Sequence, residues 1–140
     1  MPVWILYALA SMFFAGLTSV IAKFGIKNVS SDLGLAIRTT MVFAIIVINA
    51  VAFKHTQQLS ALTKKDVLFL CISGITTSLS WIFYYRAIKI GDVSIVASID
   101  KASLVITILL AFFFLKEPLT PKVLLGASLI ILGTLVLVFK

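Results

Sequence analysis

Five apolar stretches, each near the length that spans a bilayer, fill almost the whole 140-residue chain and leave only short connections between them. They run from about Val3 to Ala22, Leu33 to Phe53, Val67 to Ile88, Val93 to Leu115 and Pro121 to Phe139. A helix needs ~20 residues to cross ~30 Å of hydrocarbon, so each stretch predicts one crossing. Hydrophobic residues make up 61% of the chain and its mean hydropathy is +1.19, more apolar surface than a soluble domain of this size can bury. Short connections predict antiparallel neighbours and an up-down bundle of five transmembrane helices.

Local signals mark the helix ends. Ser31 or Asp32 is expected to cap the second helix, and Thr63 with Asp66 has capping-box spacing before the third. Gly91 and Asp92 separate the third helix from the fourth, while Thr120 followed by Pro121 supplies a cap and a first-turn proline for the fifth. The first span is read as a retained helix, since its basic residues Lys23 and Lys27 follow the apolar run and no charged side chain precedes it. The lone Cys71 is expected to pack in the core. His55 has no companion at metal-ligand spacing, so neither a metal nor a cofactor is predicted. Asn28-Val29-Ser30 matches a glycosylation pattern too short to carry a role.

Basic residues fall almost evenly on the two sides these spans define. Lys54, Lys64, Lys65, Lys116 and Lys122 share one side, against Lys23, Lys27, Arg86, Lys89 and Lys140 on the other. Arg38, one to two turns inside the second helix, tips the balance slightly toward the second group. The net charge of +7 leaves orientation open, because the positive-inside rule responds to asymmetry. Either a few interfacial lysines decide one orientation, or the chain inserts both ways. An odd number of helices favours the second reading, because an inverted second copy then generates the antiparallel repeat pair of alternating-access carriers.

Asp100 and Lys101 stand near the middle of the fourth span, about 12 Å from its start at 1.5 Å per residue. Charges at that depth cost several kcal/mol, roughly 2.5–3.5 each on insertion scales, unless they face protein or water. As adjacent helical residues they point about 100° apart, and each is expected to meet a group on another helix. Arg38 is the candidate partner for Asp100; a backbone carbonyl, a tyrosine hydroxyl or Glu117 is the candidate for Lys101. In a functional reading Asp100 takes a proton or cationic group, and Lys101 or Arg38 holds an anionic one; in a structural reading they form a buried ion network.

The third helix contributes Ser80, Trp81, Tyr84, Tyr85 and Arg86. Trp81, Tyr84 and Tyr85 share a broad face that either lines a cavity or belongs to the aromatic belt at the membrane surface. Lys23 and Glu117 end their spans, where snorkelling competes with a supporting site role. Gly126 and Gly133 lie on nearly one face of the fifth helix, which suits close packing within the protomer or against a second copy.

The stretch from Tyr84 to Val138 resembles the C-terminal part of an EamA-like repeat of the drug/metabolite transporter superfamily. Tyr85, Ala87, Gly91 and Asp92, then Leu115, Glu117, Leu119, Thr120, Gly126, Ile130 and Gly133, carry the likeness. Ala22, Lys23, Gly25, Ala36, Ile37, Arg38 and Thr39, with Ile99, Asp100, Lys101 and Ser103, extend it over nearly the whole chain. Lys116 and Pro118 stand where the pattern has Gly and Arg, and the proline often found in the fourth helix is missing. The resemblance implies an all-α integral membrane protein built as a single five-helix domain over residues 1–140, a short member with one repeat where longer relatives fuse two.

It also implies a transporter repeat that needs a partner. Together with the balanced charges and the odd helix count, the expectation is a secondary transporter for small polar or amphipathic metabolites that works as a homodimer of inverted copies; the basic groups beside one midplane acid suit an anionic moiety, as in an amino acid, and the lack of a recognisable sorting segment suits the inner membrane of a prokaryote. Two other roles fit the same pattern: a non-transporting scaffold subunit, or one half of a heterodimeric carrier. The chain has no glycine-rich phosphate loop and no nucleophile with a positioned base, so an enzyme is not predicted. Nothing in its composition points to nucleic acid; the expected surroundings are lipid and a small-molecule substrate.

Overall fold

A computed structural model describes residues 2–139; Lys140, counted above among the basic residues, lies outside them. All regular structure among the described residues is helical. The membrane-length helices are α1 (Val3–Gly25), α2 (Ser31–Ala52), α3 (Lys64–Ile90), α4 (Val93–Leu115) and α5 (Pro121–Val138). The chain is thus an all-α protein with five helices long and apolar enough to cross a bilayer. A 3₁₀ segment, His55–Ala61, links α2 to α3.

Helix ends follow the expected chemistry with one correction. The α2 cap is Ser30, whose hydroxyl accepts from the Leu33 N–H at 3.2 Å; Ser31 and Asp32 already lie inside the helix. Asp32 instead turns to Arg86. At α3 the capping box closes: Asp66 Oδ2 accepts from the Thr63 N–H at 3.0 Å, and Thr63 Oγ1 accepts from the Asp66 N–H at 3.3 Å. Thr120 caps α5 by accepting from Val123 N–H at 3.4 Å, with Pro121 in the first turn.

The chain divides into two compact units, residues 1–89 and 90–140. In the first, α1, α2 and α3 place their buried side chains toward one end: Ile26 just beyond α1, Leu35 in the first turns of α2, and Tyr85 and Ile88 in the last turns of α3. Most other large apolar side chains of the unit are exposed, as with Phe43 at 69%. Such outward faces suit a hydrocarbon solvent, in which helices gain nothing by hiding leucine from lipid. Cys71 follows the same rule: it is exposed on α3, which corrects the expectation of a core position drawn from free cysteines in water-soluble proteins.

In the second unit α4 and α5 form an antiparallel hairpin. The Thr134 hydroxyl lies 2.9 Å from the Ile130 carbonyl of its own helix and 3.2 Å from the Ser98 carbonyl of α4. α4 lacks a proline yet is not uniform. Its ladder tightens at Ala102, where Ala102 N–H donates to Ile99 and Val105 N–H to Ala102, both at 3.0 Å and both three residues back. It ends in a π turn over Ala111–Leu115, closed by Lys116 at φ 56°.

Candidate functional site

At the end of the first unit where α1 and α3 finish and α2 starts, the last carbonyls of a helix lack intrahelical donors. Lysine ammoniums supply them crosswise. Lys23 of α1 donates to the Ile88 carbonyl of α3 at 2.6 Å and lies 3.3 Å from that of Lys89. Lys89 of α3 reaches back to the Ile26 carbonyl, to Lys27 at 2.9 Å and to Val29 at 2.8 Å. One ammonium has three protons, and here it meets three acceptors. Beside this exchange Arg86 grips Asp32 with two bonds, Nε to Oδ1 at 3.1 Å and Nη2 to Oδ2 at 3.0 Å.

Immediately inside lies a cavity of about 390 Å³. Its outer wall is Gly25, Ile26, Val29 and Gly34, the segment that Lys89 holds and the helix start that packs on it. Thr18, Ile21 and Ala22 of α1, Ile37 and Arg38 of α2, and Tyr85 of α3 form the deeper wall. Gly34 is required there by close approach: a Cβ at this position would overlap the Cγ2 of Ile26.

Among the described residues, Arg38 is the only charged one lining this cavity. Its guanidinium carbon sits 4.4 Å from the centre of the Trp81 ring and 5.8 Å from that of Tyr85. Those faces stabilise the cation without accepting its N–H groups. Arg38 Nη1 is buried and has no hydrogen-bond partner among the described residues. A buried donor without an acceptor is costly, roughly 1–3 kcal/mol and more for a charged group, so it marks a place where an acceptor is missing.

The sequence-predicted residues separate into groups. Arg38, Trp81 and Tyr85 come together as one cluster, with Tyr85 only 3% exposed. Tyr84, one residue on, serves another contact, donating to Ser19 Oγ at 2.8 Å, which in turn donates to the Ala15 carbonyl at 3.2 Å. Ser80 lies on the exposed side of α3. Lys23 and Arg86 belong to the end lattice.

In the second unit Asp100 and Lys101 meet each other at 3.5 Å, correcting the expectation that neighbours 100° apart find separate partners; the long lysine chain spans the gap. The contact is loose, and the Lys101 side chain is 69% exposed. Glu117 is exposed beyond α4, and its backbone N–H donates to the Ala111 carbonyl at 3.3 Å. A Cβ on Gly126 or Gly133 would meet nothing within 4 Å, so packing inside the second unit does not call for either glycine.

Sequence reasoning gave Lys89 a place only in the charge balance and Asp32 only a possible cap, and it passed over Thr18 and Gly34. Lys89 and Asp32 had a readable signal, a basic residue in a last helical turn and an acidic one in a first turn. For Thr18 and Gly34 no local pattern distinguishes them from other small residues of membrane helices.

Comparison with known proteins places this arrangement. The profile of the EamA-like transporter family matches residues 2–139. A protein of Sinorhizobium sp. described as an uncharacterized transporter in the cobO 3'region is 38% identical over 134 residues, covering 96% of this chain and 95% of its own length. No solved structure matches the chain at a significant level. The match across the whole five-helix chain shows that it belongs to the EamA-like transporter family.

Proposed function

We propose that the chain is a secondary carrier subunit that moves small polar or amphipathic metabolites across the cytoplasmic membrane of a prokaryote by alternating access, as a dimer of oppositely inserted copies. The observation that carries this reading is the cavity of about 390 Å³ among three membrane-spanning helices, with an arginine in its wall. Its volume lies in the range of small-molecule sites. The wall segment 26–29 is held by Lys89, so opening toward that side begins with release of the ammonium from its carbonyls. Asp100, deep in α4 beside the tightened turn at Ala102, is the group proposed to exchange a proton or cation during the cycle. Gly126 and Gly133 leave room on α5 for a second copy.

The test is flux through the purified protein in liposomes, using a panel of labelled metabolites. Uptake or efflux is expected, and Asp100→Asn should lose most of it while assembly, read by crosslinking, survives. Intact assembly with no flux for any metabolite in the panel would instead assign the chain a scaffold role.

A further inference from the structure

Among the described residues, the wall of the first unit's cavity carries one cation and no carboxylate. The acidic residues of this unit are Asp32 and Asp66. The first is bound to Arg86 and the second to Thr63, and neither lines the cavity. A ligand ammonium entering here therefore meets Arg38 and no compensating charge. An anion meets a guanidinium whose Nη1 lacks an acceptor and whose planar face is already occupied by Trp81. Tyr85 adds a hydroxyl that makes no hydrogen bond among the described residues. The remaining surface is mostly aliphatic, Ile21, Ile26, Val29 and Ile37, apart from Thr18, whose hydroxyl donates to the Phe14 carbonyl at 2.7 Å.

From this arrangement we infer that the cavity binds an organic monoanion with a compact apolar body, its carboxylate on Arg38 and its hydrocarbon against those aliphatic side chains, and that it discriminates against the corresponding amino acid. The inference deepens the carrier reading and rests on it only in treating the ligand as cargo. Arginine suits the task because it stays charged at any working pH and offers its N–H groups in a fixed plane that matches a carboxylate. An α-ammonium beside that carboxylate would find only neutral hydroxyls, those of Thr18 and Tyr85, and no carboxylate to offset its desolvation, so the site disfavours it.

Three ligands with one carbon skeleton separate the possibilities: 4-methylpentanoate, leucine, which adds the α-ammonium, and 4-methylpentan-1-ol, which lacks the charge. Trp81, in contact with Arg38, serves as reporter once Trp4, 69% exposed at the start of α1, is replaced by Phe. The protein is held in nanodiscs of phosphatidylcholine, and fluorescence is titrated with each ligand. Saturable quenching by 4-methylpentanoate is expected, with leucine and the alcohol weaker by about tenfold or more.

Arg38→Gln should weaken the carboxylate by about tenfold or more and leave the alcohol unchanged, while Arg38→Lys should fall between. Gly25→Leu keeps the charge and adds bulk at a wall position where a Cβ meets nothing within 4 Å, and should abolish binding of all three. Leucine or the alcohol binding as tightly as the acid would overturn the inference, as would an Arg38→Gln variant of unchanged affinity. Suppression of the carboxylate response by phosphatidylglycerol in the nanodisc would assign the guanidinium to a lipid headgroup and overturn it too. Binding without flux in liposomes would leave the site standing and remove the carrier reading; flux without carboxylate binding would do the reverse.

Discussion

Gly34 and Lys116 show that the same residue scale holds opposite corrections. A glycine inside a helix ordinarily costs ~0.5–1 kcal/mol against alanine, and Gly74, with open space around its Cβ position, should follow that rule when changed to Ala. At Gly34 the added methyl would drive into Ile26, a stiff β-branched side chain only 2% exposed, and overpacking costs about 1–3 kcal/mol. Gly34→Ala should therefore lower stability by about 1–2 kcal/mol while Gly74→Ala raises it, a contrast read from unfolding midpoints in one detergent. Lys116 sits at φ 56°, a backbone region that costs a non-glycine residue ~1–2 kcal/mol, at the position where the family pattern carries Gly. After the larger unfolded-state freedom of glycine is set against that relief, Lys116→Gly should stabilise by roughly 0.5–1 kcal/mol in the same assay. The departure from the pattern was legible in the sequence, but its backbone cost was not, because a lysine gives no sign of the left-handed turn that closes α4.

Among the helices of the first unit, α1 and α3 are joined at their ends by an exchange of lysines. Each ammonium lies against carbonyls left open by the other helix, where the macrodipole also favours a cation. Charge-assisted bonds contribute about 1.5–3 kcal/mol where water is excluded, so Lys89→Met should free the 26–29 segment. Hydrogen exchange is the direct reading: the amides of Ile26 and Lys27, bonded to Ala22 and Phe24, should exchange about tenfold faster or more, while those of α2 hold their protection. Unchanged exchange at Ile26 would mean that the helices need no lysine to stay joined. Element existence and most boundaries were legible because apolar length and caps such as Thr63, Asp66 and Thr120 act within a few residues. The site was legible only in part. The aromatic face of α3 and the lone arginine of α2 could each be read, but their meeting at Trp81 and Tyr85, and the Asp32–Arg86 pair 54 positions apart, depend on packing that no local window contains.

For the molecule as a whole, the decisive question is which way it enters the membrane. The basic residues named on the two sides are equal in number, so the charge asymmetry that orients most membrane proteins is almost nil. The folded first unit tips this balance, because Lys23, Lys89 and Arg86 at one end are engaged with carbonyls or Asp32 and are less free to interact with anionic headgroups. On the opposite side Lys54, Lys64 and Lys65 flank an exposed 3₁₀ segment. If orientation is fixed while the chain is still inserting, all ten residues count and the result is near parity. If it is fixed after folding, the side with freer lysines faces the cytoplasm. Replacing the exposed Cys71 by Ser and placing a single Cys at Ser60, on that 3₁₀ segment, tests both in intact cells with a membrane-impermeant thiol reagent before and after permeabilisation. Labelling of roughly half the molecules from outside is expected under charge parity, and adding two lysines beside Ser60 should then shift that half toward none. Uniform protection of the unmodified chain would mean that the folded unit decides, and would require any inverted partner to be a different chain.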